Sequence, residues 1–279
     1  MVEADDVSVN RTYAVSGVGD FYLLVGSIPK PEGRRGCAAL FLPPTEPKRA
    51  KIVISLPARW VGIAFSPWRL TNLTLTDRDL LLVVDVQNDF LPGGALAVPD
   101  GGSVLPVVNS MAARFGHVAL TQDWHVARHL SFASSHPGRK PFETISLAYG
   151  PQVLWPDHCI QGSVGAEFST ALRVPQAEFI VRKGYRREID SYSAFCEADG
   201  VTNTGLAGYL RERGFARVFL AGLATDFCVA YSAVDARRAG FEVVVIEDAC
   251  RAIDTGGSLT AAWSRMQDAG VVRVTSARL

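Results

Sequence analysis

From about Thr76 onward, apolar runs alternate with amphipathic stretches. DLLLVVDV (Asp79 to Val86) reads as a strand buried on both faces. HVALTQ, EFIVRK (Glu178 to Lys183), ARVFLAG, FEVVVIE and VVRVTS repeat that pattern. Between them, SVLPVVNSMAARF, NTGLAGYLRERG, the stretch from near Asp226 to near Gly240, and GSLTAAWSRMQDAG read as helices. Pro106 is tolerated because it falls in a first turn. Strands that are apolar throughout, separated by helices, predict a parallel sheet covered on both faces. The expectation is an α/β, Rossmann-like, three-layer sandwich over residues 76–279 with a six-stranded, mostly parallel sheet. Ligands of such sheets bind at the carboxyl ends of the strands. Asp85, Asp123, Lys183 and the Leu223–Cys228 turn all fall there, so the fold alone gathers them on one rim.

Two long connections break the rhythm, from Trp124 to about Pro175 and from Gly184 to about Asn203. Long loops in a compact α/β domain are usually binding segments or lids, or else disordered. The first carries four of the five histidines, which argues for binding. Residues 1–75 are different. They are rich in Gly and Pro, hold short apolar runs (FYLLVG, KIVISLP, WVGIAF), and carry charge around Arg34–Arg35 and Lys48–Lys51. They show no clear period. Two expectations stand for this amino-terminal extension: a few strands packed on the main domain, or a weakly ordered segment. No chemistry is assigned to it.

Composition narrows the class. The chain has 279 residues, 48% hydrophobic and 20% charged, an ordinary globular balance. Lys+Arg and Asp+Glu both total 28, so a net charge of zero gives no support for nucleic acid or an anionic membrane as main partner. Five cysteines without regular spacing (Cys37, Cys159, Cys196, Cys228, Cys250) suggest neither a disulfide framework nor a thiolate metal site. The opening MVEADDVSVN does not read as a secretory signal, and no apolar stretch approaches the ~20 residues of a membrane span. A soluble protein in the reducing cytoplasm is expected.

Candidate chemistry begins at Cys228, where a strand stops and a helix begins. A thiol in a first helical turn faces unpaired N–H groups and the positive end of the dipole, which favour the thiolate. The same N–H groups can hold a developing oxyanion. Asp123 and His125 form a D-x-H pair whose side chains share one side of an extended segment. His158 adds a second imidazole from the far end of the loop. Two imidazoles and a carboxylate suit a divalent ion, Zn foremost, with Fe or Mn as alternatives. Taken singly, Asp123 also reads as a strand-end cap, and each His as a packed side chain. Asp85 reads either as an Asx turn or as a general base for the thiol. Lys183 reads either as a snorkelling side chain or as the partner of Asp85. His129 reads as a supporting or structural histidine, outside the ligand set.

DVQNDFLPGGALAV, TQDWH followed by HLSFASSH, LWPDHCIQGSVGAEF, VRKG and GLATDFCV occur in this order over some two-thirds of the chain. Together they resemble the nicotinamidase (pyrazinamidase) branch of the isochorismatase-like cysteine hydrolases. The resemblance implies a Cys228–Asp85–Lys183 triad and a metal site at Asp123, His125 and His158. It also implies oxyanion donors at the amides of Ala224 and Cys228, and a cis peptide between Leu223 and Ala224. Phe90 and Trp155 match positions that flank a flat pyridine ring. The implied reaction converts nicotinamide to nicotinate and ammonia, feeding NAD salvage. The partner would be a small-molecule amide, and self-association is left open. A carbamoyl or ureido amidohydrolase would keep the triad without needing the D-x-H…H trio. An isochorismatase would have no use for Cys228. A non-catalytic scaffold, with the amino-terminal segment as its interaction surface, would release no ammonia from any small amide. Residues 1–75 have no counterpart in the family.

Overall fold

The computed structural model describes residues 73–279, together with the backbone of strands β1 (Leu24–Pro29) and β2 (Arg35–Leu40). The chain divides into two compact units, Met1–Arg69 and Leu70–Leu279. In the first, β1 and β2 pair antiparallel with Leu24 opposite Leu40. The KIVISLP and WVGIAF runs and the Lys48–Lys51 patch lie outside the described residues.

The second unit runs β3 (Asp79–Val84), α1 (Val104–Ala112), β4 (Val118–Asp123), β5 (Thr144–Leu147), β6 (Gly150–Val153), β7 (Ala177–Lys183), α2 (Leu206–Glu212), β8 (Arg217–Leu223), α3 (Ala230–Arg238), β9 (Glu242–Arg251), α4 (Ser258–Asp268) and β10 (Val272–Val274). Six strands form one sheet in the order β10-β9-β8-β3-β4-β7. Every pairing in it is parallel, so the sheet is wholly rather than mostly parallel.

Alternation along β3 explains why its apolar run is unbroken. Leu81 and Val83 pack on the face covered by α1, with Phe219, Ala221, Val244 and Ile246. Leu80, Leu82 and Val84 pack on the other face, with Leu206 and Leu210 of α2, Ala230 and Ala233 of α3, and Ala262 and Met266 of α4. Both faces are dry, so every position must be apolar. Close approach between β3 and β8 depends on Gly222, at φ 124°, where a Cβ would lie 2.1 Å from the Val84 carbonyl oxygen.

Two local features differ from the expected pattern. The first long connection contains a small antiparallel hairpin, β5–β6, too short to leave a periodic signal. The helix expected near Asp226 is preceded by a wide turn over Thr225–Val229, in which the Val229 N–H reaches back five residues to the Ala224 carbonyl (3.1 Å). Regular α3 starts only at Ala230. Such π-type turns concentrate at functional sites.

Candidate active site

Strands β8, β3, β4 and β7 are consecutive neighbours, so their carboxyl ends form one continuous rim. Register brings Asp123 directly beside Lys183. Asp85 follows β3 at φ 49°, a left-handed conformation, and its carboxylate is completely buried. The Thr121 hydroxyl donates to Asp85 Oδ1 (2.6 Å), and the Asp85 N–H donates to the same hydroxyl (3.1 Å). The Asx-turn reading of Asp85 therefore gives way to a carboxylate held by the neighbouring strand.

Lys183 is as buried as Asp85, so its ammonium does not snorkel. It faces Asp85 Oδ2 at 2.8 Å, donates to Cys228 Sγ at 3.2 Å and to the Ser191 carbonyl at 3.2 Å, and bonds Asp123 Oδ1. Asp85 Oδ2 accepts no directed hydrogen bond, only this ion-pair contact. One oxygen each of Asp85 and Asp123 lies within 4.8 Å of Cys228 Sγ. A sulfur, a carboxylate with a free lone pair and an ammonium thus share one buried point.

The electrostatics correct the expected thiolate. Burial pushes the Cys228 thiol well up; Lys183 opposes this, and the Asp85 and Asp123 carboxylates add to it. The wide turn places the sulfur inside the core rather than at an open helix end, and burial there opposes the thiolate. Burial also raises Asp85, with Lys183 opposing and Asp123 reinforcing. Asp123 goes the other way. Burial would raise it, yet the neighbouring Lys183 ammonium holds it well below the usual carboxylate range. For Lys183, burial is overcome by Asp123 and Asp85, which drive its pKa well up.

Beside the triad, ligating atoms of Asp123, His125 and His158 lie within 4.8 Å of one another. The Nδ1 of His158 faces the Pro156 carbonyl at 2.8 Å and must carry the proton, so the lone pair sits on Nε2, 3.7 Å from Asp123 Oδ2. His125 has the opposite tautomer. Its Nε2 faces Asp190 Oδ1 at 3.3 Å, and its buried Nδ1 has no partner among the described residues. Two imidazole lone pairs and a carboxylate thus converge, and an orphaned buried nitrogen among them is what a divalent ion would satisfy. Gly184, at φ 68°, makes room: a Cβ there would lie 2.7 Å from His125 Nε2.

His129 is differently placed. Its Nδ1 accepts from the Ser131 N–H (3.1 Å) and its Nε2 donates to the Arg186 carbonyl (2.6 Å), so neither nitrogen is free for an ion. Phe90 and Trp155 both line the cleft above Cys228, together with Ala224, Tyr192 and Phe227. The Phe90 ring lies 5.4 Å from His158, and Trp155 meets Phe227 edge-on at 4.8 Å. The Leu223–Ala224 peptide is cis.

Three supporting residues escaped the sequence reading. Gln87 donates to the Asp123 carbonyl and accepts from its N–H, both at 2.8 Å, fixing the Asp123 main chain. Asp190 orients His125. Burial would raise its pKa, but His125 holds it down at about 2, so it is an anion. Asp226 accepts from the amides of Ile253 (3.1 Å) and Asp254 (2.8 Å) and from the Ser258 hydroxyl, clamping the Cys228 turn to the start of α4. Gln and Asp within DVQNDF, REIDSY and ATDFC were visible, but nothing local says which partners a fold will give them.

Comparison with known proteins gives one consistent answer. An isochorismatase domain model matches residues 79–278. The nicotinamidase of Acinetobacter baylyi is 56% identical over 196 residues, covering 70% of this chain and 92% of that protein. The Escherichia coli nicotinamidase is 41% identical over 202 residues, covering 71% of this chain and 94% of that protein. Among solved structures, an Acinetobacter baumanii nicotinamidase/pyrazinamidase is similar with a TM-score of 0.72 at 56% identity, covering 73% of this chain and 99% of that one. A Pyrococcus horikoshii pyrazinamidase in complex with zinc matches at TM-score 0.59 and 34% identity, covering 71% of this chain and 99% of that one.

Proposed function

The chain belongs to the isochorismatase family, and we propose that within it this protein is a metal-dependent cysteine amidohydrolase that converts nicotinamide to nicotinate and ammonia. The observation that carries the reading is the position of Lys183 Nζ. It lies 2.8 Å from Asp85 and 3.2 Å from Cys228 while bonding Asp123 of the Asp123–His125–His158 trio. Nucleophile, base and ion site are thereby joined through one ammonium, by hydrogen bonds to Cys228 and Asp123 and an ion pair to Asp85.

Asp85 Oδ2 takes the thiol proton as Cys228 Sγ attacks the carboxamide carbon. The raised pKa of Asp85 suits a base that must also return a proton. The amides of Ala224 and Cys228 hold the oxyanion, a donor pair of which each member is worth roughly 3 kcal/mol of barrier. Asp85 then protonates the departing nitrogen, ammonia leaves, and a thioester remains. A water that gives its proton to Asp85 cleaves the thioester, releasing nicotinate and the thiol. Lys183 stays charged throughout and offsets the carboxylates. Phe90 and Trp155 sandwich the ring. Asp123, His125 and His158 would hold the divalent ion, zinc foremost, which would supply a Lewis acid beside the bound ring.

The four described cysteines are free, which fits a reducing cytoplasm, and nicotinate formation fits NAD salvage. Among the described residues no helix is long and apolar enough to cross a membrane. A carbamoyl or ureido amidohydrolase would have no need of the trio's convergence. The deciding experiment is ammonia release from nicotinamide, measured beside the metal content of the same preparation. Stoichiometric ammonia and nicotinate from a preparation carrying a divalent ion are expected. No ammonia from nicotinamide, with turnover of a ureido compound instead, would sink the reading.

A further inference from the structure

Asp190 does more than face His125. Its Oδ2 accepts from Gln152 Nε2 at 3.0 Å, and Gln152 is buried. The same amide nitrogen lies 3.0 Å from the Tyr192 hydroxyl, and 2.6 Å from the Val153 carbonyl. The Tyr192 oxygen in turn accepts from Trp155 Nε1 at 2.9 Å. Tyr149, next to the β5–β6 turn, donates its hydroxyl to Gln152 Oε1 at 2.9 Å. A continuous chain, buried except at the partly exposed Tyr192, therefore runs from the imidazole of His125 through Asp190, Gln152 and Tyr192 to the indole of Trp155, which walls the cleft.

Valence makes this chain selective. The Asp190 carboxylate is an acceptor only, and the indole N–H is a donor only. Between them must stand one group that donates to the carboxylate and one that accepts from the indole, and Gln152 Nε2 and the Tyr192 oxygen are those two. Gln152 Nε2 lies within donating distance of Asp190, Tyr192 and the Val153 carbonyl and shares its two hydrogens among them, and the hairpin that carries it is the element the sequence left unread. The hairpin's turn fixes Tyr149, and Tyr149 fixes which way the Gln152 amide faces.

We propose that Gln152 is a positioning residue coupling the ion site to the aromatic wall. It holds Asp190 so that His125 keeps its Nδ1 lone pair turned to the ion, and holds Tyr192 so that Trp155 keeps its edge-on stance in the cleft. Ion affinity and ring binding are then set by one hydrogen-bonded chain. This rests on His125 being an ion ligand and Trp155 a ring contact.

The test uses the full chain and zinc alone. Zinc affinity is measured by competition with a chromophoric chelator, and KM and kcat for nicotinamide at saturating zinc. Asp190→Asn sets the scale, weakening zinc by roughly 10- to 100-fold. Gln152→Met keeps the volume but removes the donor. It is expected to weaken zinc roughly tenfold. It should also raise KM roughly fivefold at saturating zinc, with kcat within about twofold. Tyr192→Phe keeps the ring and should move both readouts in the same direction; it decides the matter if Gln152→Met does not fold. Wild-type zinc affinity in Gln152→Met and Tyr192→Phe, whatever their KM, would refute the coupling while leaving the hydrolase reading intact. A wild-type protein that neither binds zinc nor hydrolyses nicotinamide would refute that reading, and this proposal with it.

Discussion

Strand β3 carries an aspartate at each end, and the two are treated oppositely. At the amino end, Asp79 meets Arg217 in a two-pronged pair, 2.8 Å from Nε and 2.7 Å from Nη2, and also accepts from the Thr76 N–H at 2.6 Å. Burial would raise its pKa, but Arg217 and Thr76 hold it below the ordinary range. At the carboxyl end, Asp85 must share the Lys183 ammonium with Asp123, and its pKa goes up. The residue type and the strand are the same, so the difference lies in local charge balance. One cation per carboxylate makes a structural clamp. Two carboxylates on one ammonium, beside a third anion at Asp190, leave a rim with more negative than positive charge among these groups and a raised Asp85. One end of the sheet carries a matched ion pair, the other the proposed chemistry.

The strongest way to break this division is to remove the sulfur. Cys228→Ala should lower kcat for nicotinamide by at least ~10⁴-fold, since loss of a nucleophile removes the covalent route altogether. Its urea midpoint should stay near that of the parent. Substantial residual turnover would show that chemistry does not reside on the carboxyl rim. Next comes the ammonium. Lys183→Met strands two buried carboxylates and should cost about 3–5 kcal/mol in urea unfolding, as well as activity. Arg217→Met leaves Asp79 with its two Thr76 hydrogen bonds and should cost clearly less, with activity per folded molecule unchanged. Equal costs would mean the two rims are energetically alike.

Ion removal acts on the carboxyl rim alone. A chelator should abolish turnover, and zinc should restore it. An ion that binds the folded chain only, present at 100 times its dissociation constant, stabilises by about 2.7 kcal/mol, so the melting temperature should fall on chelation and recover with zinc. Full activity after exhaustive chelation would remove the ion from the mechanism.

How much of this was readable in the chain follows from the range of the interactions. The parallel sheet was legible because a strand buried on both faces must be apolar along its buried run, as Leu80 to Val84 of β3 and Val218 to Leu223 of β8 are. The shared rim was legible because parallel strands put all carboxyl ends together, so Asp85, Asp123, Lys183 and Cys228 needed only the order of elements. Asp190, Gln87 and Gln152 were not legible. Each acts through a partner 36 to 65 residues away, and a lone Gln or Asp in a loop carries no mark of it. The state of the thiol was misread for a related reason. The local cue, a strand passing into a helix, suggested an open helix end. The wide turn at Thr225–Val229 and the clamp from Asp226 to the start of α4 bury the sulfur instead. Depth in the core is a tertiary quantity, and here it outweighs the local dipole.

The smallest expected effect concerns the amino rim. Asp79→Asn removes the charge from a pair whose guanidinium is only partly exposed, and a charge-assisted two-pronged bond of that kind contributes about 2 kcal/mol. Because the folded pKa of Asp79 is depressed, its contribution is present above the unfolded value of about 3.9 and is lost as pH falls through the folded value. The stability difference between parent and Asp79→Asn, from urea midpoints, should therefore be flat from neutral pH down to about 5 and shrink below about 4. Activity per folded molecule should not change at any of these pH values. A difference that grew on acidification would mean that Asp79 is raised rather than lowered in the folded chain, and the contrast between the two ends of β3 would disappear.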